Sequence, residues 1–344
     1  METSFQLWQS LHGDAFAGAK VLVTGGAGFI GSHIASALAR LGANVVALDD
    51  LSGGGTGNFD GLGPVKFVRG SILDVSLLEK HVAGCRYVFH QAALGSVPGS
   101  VKEPVRYYDV NVTGTINVLE AARASGVERL MFAASASAYG SSEVLPKVET
   151  MAAEPISPYA GSKVAGEAFL RAYSASYPAL DTAALRYFNI FGPRQNANSA
   201  YAAAIAAFAT AALSGRTPTI FGDGEQSRDF THVDNVVHSN LLAARSKQPI
   251  RGEVINVACG QRVTVNELVA EIIAFCDDSA LKPSYAGERA GDVRHSLADI
   301  TRAKALLGYE PIVGFRDGLA ETLQWYARQQ PERAPARAGP VNTA

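Results

Sequence analysis

Tyr159 and Lys163 stand four residues apart in SPYAGSK. That spacing puts both side chains on one face of a helix, about 6 Å apart along its axis. A cation so close favours the phenolate, so the tyrosine pKa is expected to fall from its usual value near about 10 toward neutral pH. The product would be a general base able to take the proton of an alcohol. A tyrosine and a lysine at this spacing also meet on ordinary solvated helix faces. The pair therefore acquires meaning only from what surrounds it.

The N-terminal third supplies that setting. KVLVT (20–24) is a continuous apolar run of strand type, followed by Gly25, Gly28 and Gly31 in GGAGFIG, a helical stretch SHIASALARLG, and a second apolar run NVVALDD (44–50). The order is strand, glycine turn, helix, strand, with an acid closing the second strand. The first glycine makes the tight turn, the second lets backbone approach a pyrophosphate at the helix N-terminus, and the third packs helix on strand. Asp49 is placed to accept hydrogen bonds from an adenosine ribose and to repel a 2′-phosphate, which favours NAD over NADP. Further runs, VKFV, YVFHQ, RLMFAAS and TAALRYFNI, alternate with helical patterns up to about residue 190. Such alternation predicts a Rossmann-type doubly wound parallel α/β sheet covered by helices. Beyond 190 the pattern turns irregular and is expected to form a smaller C-terminal α/β substrate-binding lobe over the carboxyl ends of the strands. The expected division is a helical extension at 1–17, with Phe5, Leu7, Trp8 and Leu11 as its apolar part, a dinucleotide-binding unit at 18–190, and the lobe at 191–330 with some interchange of chain. A Pro- and Ala-rich tail at 331–344 is expected to be disordered.

Seven motifs in order, TGGAGFIG, HQAA (90–93), AASASAYG (133–140), YAGSK (159–163), RYFNIFGPRQ (186–195), SRDFTHVDN (227–235) and ERAGDVRHS (288–296), resemble the extended short-chain dehydrogenase/reductase family. Within that family the chain is most similar to the nucleotide-sugar 4-epimerases, over roughly residues 18–327. ALGSVPGS (93–100) and AYAAAI (200–205) resemble elements of the type acting on UDP-N-acetylglucosamine. The resemblance implies NAD as cofactor and a UDP-sugar as substrate, oxidised at carbon 4 and reduced again on the opposite face.

It also implies roles for individual residues. Tyr159 would be the base, Lys163 its electrostatic partner and ribose anchor, and Ser135 a hydrogen-bonding partner of the reacting hydroxyl. Phe29, Ile30, Asp50, Ser71, Ile72, Gln91, Ala92, Ala93 and Tyr187 would join the glycines and Asp49 around the dinucleotide. Ser71 stands where the family commonly has aspartate. The nucleotide sugar would meet Arg228 and Arg289 at the pyrophosphate, Asp292 at a ribose hydroxyl, and Asn189 near the phosphate–sugar region, with Ser96, Ser137 and Tyr201 also in the substrate set. Ser100 is a further candidate for the sugar or its acetamide. Ser296 aligns with a gate position that is tyrosine in epimerases restricted to non-acetylated sugars, which favours UDP-GlcNAc and UDP-GalNAc. UDP-glucose, UDP-hexuronic acids and a simple NAD-dependent nucleotide-sugar dehydrogenase or reductase are the alternatives. Gly99 replaces an arginine of similar sequences. The family's 4,6-dehydratases carry an Asp–Glu pair where this chain has Ala136 and Ser137, so elimination lacks its acid and base. Helices over about 101–125 and 158–176 resemble those that form a homodimer in the family, and supply of acetamido sugars for surface polysaccharide is implied.

Composition agrees with an enzyme of small molecules. The 344 residues carry a net charge of −2 with both signs mixed, which suggests neither a nucleic-acid nor a membrane surface. No apolar run reaches the roughly 18 residues needed to span a bilayer, and the N-terminus lacks a signal-type core. Cys85, Cys259 and Cys276 match no metal site or disulfide framework. They read as small core residues in a reducing cytoplasm, and no metal is expected.

Overall fold

The computed structural model describes residues 2–59, 64–196, 204–277, 280–288 and 293–329. Tyr201, Arg289, Asp292 and the expected tail at 331–344 lie outside them. Along the chain run α1 (Glu2–His12), β1 (Lys20–Thr24), α2 (Phe29–Arg40), β2 (Asn44–Asp49), β3 (Val65–Arg69), α3 (Val75–Val82) and β4 (Tyr87–His90). Next come α4 (Val97–Lys102), α5 (Pro104–Tyr108), α6 (Gly114–Ala124), β5 (Arg129–Ser135), α7 (Pro158–Ser176) and β6 (Asp181–Tyr187). The second half contains β7 (Ile190–Phe191), α8 (Ala204–Leu213), β8 (Thr219–Phe221), β9 (Ser227–Arg228), β10 (Thr231–His232), α9 (Val233–Arg245) and β11 (Glu253–Val257). It closes with β12 (Val263–Thr264), α10 (Val265–Cys276), β13 (Ser284–Ala286), α11 (Thr301–Leu307) and α12 (Phe315–Gln329).

Seven strands form one sheet in the order β11-β6-β5-β4-β1-β2-β3, and every pairing in it is parallel. The central strands are buried on both faces, which is why they read as unbroken apolar runs rather than alternating ones. On one face Trp8, Phe16, Ile34, Leu38, Val236 and Leu241 pack against the sheet. Leu78, Val82, Val118, Leu119 and Leu170 cover the other. The sheet takes in β11, and α9 packs against α2, so chain from beyond residue 190 returns to it. Helices α8, α10 and α12 enclose a separate core built on Phe191, Phe208, Ile220, Phe230, Leu268 and Leu323.

The stretch expected as a helix over about 101–125 is broken. Glu103 leaves the helical region (φ −130°, ψ 56°) ahead of Pro104, because the proline ring crowds the residue before it. A π turn at Asp109–Thr113 then joins α5 to α6. The sequence reading also stopped the sheet too early. EVINV is short and carries the polar Asn256, whose amide is fully consumed inside the protein. It accepts from the Tyr139 hydroxyl at 2.7 Å and donates to the carbonyls of Lys147 and Asp299.

Candidate functional site

The carboxyl ends of the parallel strands open into one cleft of about 720 Å³. At its near side β1 runs into the glycine loop. Gly25 has φ +66°, and a Cβ there would lie 2.6 Å from the Ala92 backbone nitrogen. At Gly31 a Cβ would lie 2.1 Å from the Gly25 carbonyl oxygen. The close backbone packing that these positions require leaves the N-terminus of α2, with Gly28 as its cap, facing the cleft without a side-chain cap. That is a cradle for an anionic bridge between two nucleotides.

At the end of β2, Asp49 is buried and accepts from the backbone nitrogens of Ala27 (3.0 Å) and Leu51 (2.7 Å). Burial pushes its pKa up, while those two hydrogen bonds oppose the shift. The carboxylate therefore sits at the rim in a fixed orientation, as a ribose acceptor must. Glycine cradle and oriented acid together fit a dinucleotide.

Across the cleft, α7 begins with the Ser157 hydroxyl accepting from the Ala160 nitrogen at 3.1 Å and with Pro158 in the first turn. The helix carries Tyr159 and Lys163 to the cleft wall together. Lys163 is buried and donates from Nζ to the carbonyl of Ala133 on β5 at 2.8 Å. Its Nζ lies 4.9 Å from the Phe132 ring centroid and 6.0 Å from that of Tyr159. Burial brings its pKa down to about 8.

The expected fall of the Tyr159 pKa is not found in this structure. Although its surface still meets solvent in the open cleft, desolvation pushes the phenol above its ordinary value. A hydrogen bond with Ser135 works against that, and the nearby Tyr107 phenol adds to it. Lys163 contributes little because its ammonium is turned toward the strand carbonyl. Helical spacing brought the pair to one face, but where each charge points depends on its partners.

Ser135 closes β5 and receives a hydrogen bond from the Ser137 hydroxyl at 2.9 Å. Its own hydrogen is thus free for Tyr159, forming a line Ser137→Ser135→Tyr159. Ser137 therefore sits behind Ser135 and does not line the cleft. Tyr187 donates to Gln91 at 3.1 Å and accepts from Asn240 at 2.9 Å.

All of the expected dinucleotide residues line the cleft: Gly25, Gly28, Phe29, Ile30, Gly31, Asp49, Asp50, Ser71, Ile72, Gln91, Ala92, Ala93, Tyr159, Lys163 and Tyr187. Ser135 and Asn189 join them. Asn189 holds φ +39° and donates to the Asp229 carbonyl at 3.3 Å.

Arg228 and Ser296 are brought together beside Ser227, away from that lining. Arg228 Nη1 donates to the carbonyls of Ser227 and Arg294, and the Ser296 nitrogen donates to Ser227. Ser96 caps α4 by accepting from the Gly99 nitrogen at 2.9 Å and also lies off the lining. Ser100 is a correction: it is fully buried and its hydroxyl donates to the Val97 carbonyl, so it has no access to a sugar. Leu94, Gly95, Gln195 and Asn196 line the cleft without having been anticipated. Leu94 and Gly95 lie in ALGSVPGS and Gln195 ends RYFNIFGPRQ, so those motifs could have pointed to three of them.

His232, Asp234 and Glu321 bring possible ligand atoms within 4.8 Å of one another. The donor set does not suit a metal. Nδ1 of His232 accepts from the Asp234 nitrogen at 3.4 Å, so Nε2, the atom facing Glu321, carries the hydrogen. The Arg194 guanidinium also stands in the field of both carboxylates.

Comparison with known proteins agrees with this geometry. Residues 21–258 match the profile of the NAD dependent epimerase/dehydratase family. The fold is similar to the UDP-N-acetylglucosamine 4-epimerase of Methanobrevibacter ruminantium, solved with UDP-N-acetylmuramic acid, with a TM-score of 0.86 and 40% identity over 91% of this chain and 99% of that one. It is also similar to the UDP-glucose 4-epimerase of Thermotoga maritima solved with UDP-glucose, with a TM-score of 0.84 and 38% identity over 90% and 99% of the two chains. A third similar structure is the UDP-glucose 4-epimerase of Thermus thermophilus in complex with NAD, with a TM-score of 0.78 and 35% identity over 89% and 98%.

Proposed function

The chain belongs to the NAD dependent epimerase/dehydratase family, and from that premise we propose that it is a UDP-hexose 4-epimerase whose preferred pair is UDP-GlcNAc and UDP-GalNAc. The cofactor is NAD. When bound, it supplies the hydride acceptor and donor, and its cationic ring favours a phenolate beside it. Tyr159 takes the proton of the sugar 4-hydroxyl and returns it after the 4-keto sugar has turned over. Ser135, backed by Ser137, steadies the reacting oxygen and the phenolate by hydrogen bonding. Lys163, held by the Ala133 carbonyl, presents its charge along the same wall. The glycine loop and Asp49 hold the dinucleotide.

The observation that carries this reading is the meeting of Tyr159, Ser135 and the glycine loop around a single cleft. Ala136 and Ser137 leave dehydration without its acid–base groups. The acetamido preference rests on the small Ser296 and on similarity to a UDP-GlcNAc 4-epimerase. UDP-glucose is the second reading, favoured by the UDP-glucose 4-epimerase neighbour of 38% identity.

Arg228 and Ser296, with Arg289, Asp292 and Tyr201 from outside the described residues, are assigned to the nucleotide sugar in this proposal. Exposed Val101, Val105 and Tyr108 on α4 and α5, next to α7, support pairing of two copies through that face. Among the described residues no helix is long and apolar enough to cross a membrane.

Purified protein incubated separately with UDP-GlcNAc, UDP-glucose and their uronates, followed by chromatographic resolution of the 4-epimers, tests the reading. The expected order is UDP-GlcNAc first. Net accumulation of NADH in place of an epimer would make it a dehydrogenase. Ser296→Tyr is expected to harm the acetylated substrate far more than the plain one, and equal losses would remove Ser296 as the gate.

A further inference from the structure

Segment 92–96, which carries β4 into α4, contributes Ala92, Ala93, Leu94 and Gly95 to the cleft wall. Two side chains one helical turn apart pin it from behind. Asn111 accepts from the Leu94 nitrogen at 2.8 Å and donates to the Leu94 carbonyl at 3.1 Å, fixing both polar groups of that peptide. The same amide donates to the Ser162 hydroxyl on α7, three residues from Tyr159. Tyr107 completes the clamp, its hydroxyl accepting from the Ser96 nitrogen at 3.2 Å. The ring is buried, at 5% exposure, so the phenol has little freedom to leave.

The Tyr107 hydroxyl also occupies space above α4. A Cβ on Gly99 would stand 2.5 Å from it and 3.0 Å from the Ser96 hydroxyl oxygen. Glycine at 99 and tyrosine at 107 are therefore coupled, since one has room only because the other has no side chain. Ser96 accepts from the Gly99 nitrogen through its hydroxyl oxygen and keeps its own hydrogen to donate.

We propose that Tyr107 is a positioning residue for the sugar end of the cleft, setting segment 94–96 so that the hydroxyl of Ser96, which follows Gly95 at the edge of the lining, meets the 2-acetamido group of a bound sugar. This rests on the acetamido-sugar reading above.

The test uses full-length, NAD-loaded enzyme carrying Tyr107→Phe, which keeps the ring and removes the hydroxyl. The KM for UDP-GlcNAc rises about fivefold, as for the loss of one hydrogen bond, while kcat stays within about twofold. The KM for UDP-glucose, which lacks the acetamide, and inhibition by UDP stay at wild-type values. Equal KM changes for both sugars overturn the proposal.

Gly99→Ala gives an independent check. It raises KM in the wild-type background and does so less in Tyr107→Phe, where the nearest clash is gone. Additive effects, with both proteins melting like wild type, would show that the two positions are not coupled. Should the wild-type protein epimerise UDP-glucose alone, the acetamido reading falls by itself, and the coupling of Tyr107 to Gly99 is then judged on the KM for UDP-glucose.

Discussion

The two halves of this molecule are held in different ways. In the dinucleotide half, strands pair over four to seven residues in parallel register, and the apolar faces carry the load. In the C-terminal lobe the paired strands are two or three residues long. Single side chains fasten backbone there instead. Asp229, fully buried, accepts from the nitrogens of Cys259 (3.0 Å), Gly260 (3.0 Å) and Ala298 (3.2 Å). Asn235 accepts from the nitrogens of Ile312 and Val313 and donates to the Val313 carbonyl. One half is positioned mainly by many small apolar contacts, whereas in the other a few buried polar residues carry much of the fastening.

The contrast can be broken at several points. Tyr159→Phe removes the group that the rigid half presents, and turnover should drop by about a thousandfold while UDP and NAD affinity persist. Retained turnover would remove Tyr159 as the base. Gly31→Ala strikes the same half through its backbone. With a Cβ 2.1 Å from the Gly25 carbonyl oxygen, about 3 kcal/mol of stability and most NAD affinity should be lost, read by melting and dinucleotide titration. An unchanged melting curve would mean that the loop has slack.

Asp229→Asn tests the lobe. Its amide NH2 would face a backbone N–H, costing about 2 kcal/mol. UDP binding by calorimetry should weaken while NAD binding holds, and parallel loss of both would show that the halves are not separately fastened.

The mildest effect is acid sensitivity at the docking of α1. His12 and His238 lie 3.1 Å apart with pKa values brought down to about 3 and about 4, burial being the larger cause in each. The unfolded chain takes up these protons near about pH 6.5 and the folded chain does not. Stability therefore declines as pH falls from about 6.5 toward 4. Urea midpoints measured along that range should fall, and less so in His12→Gln.

Legibility in the sequence follows the same division. β1, β2 and β5 were readable because strands buried on both faces must be apolar throughout, and Tyr159 and Lys163 because helical spacing is enough to place them side by side. The direction of the Tyr159 pKa was not readable, since it depends on how much protein lies over the phenol and on where the Lys163 ammonium turns. Asp229, Asn235 and Tyr107 left no signal either. Each acts on backbone distant in sequence, and an isolated polar residue carries no period. Ser100 was misjudged for the related reason that a serine next to a cap can as easily point inward.

The return of β11 to the sheet has a consequence for how the protein can be divided. Strand β6 is bordered by β5 on one side and by β11 on the other. A fragment ending near residue 190 would leave a seven-residue, largely buried strand with its hydrogen-bonding edge bare, a surface that recruits other chains. The edge of the dinucleotide half is therefore covered by chain made some sixty residues later.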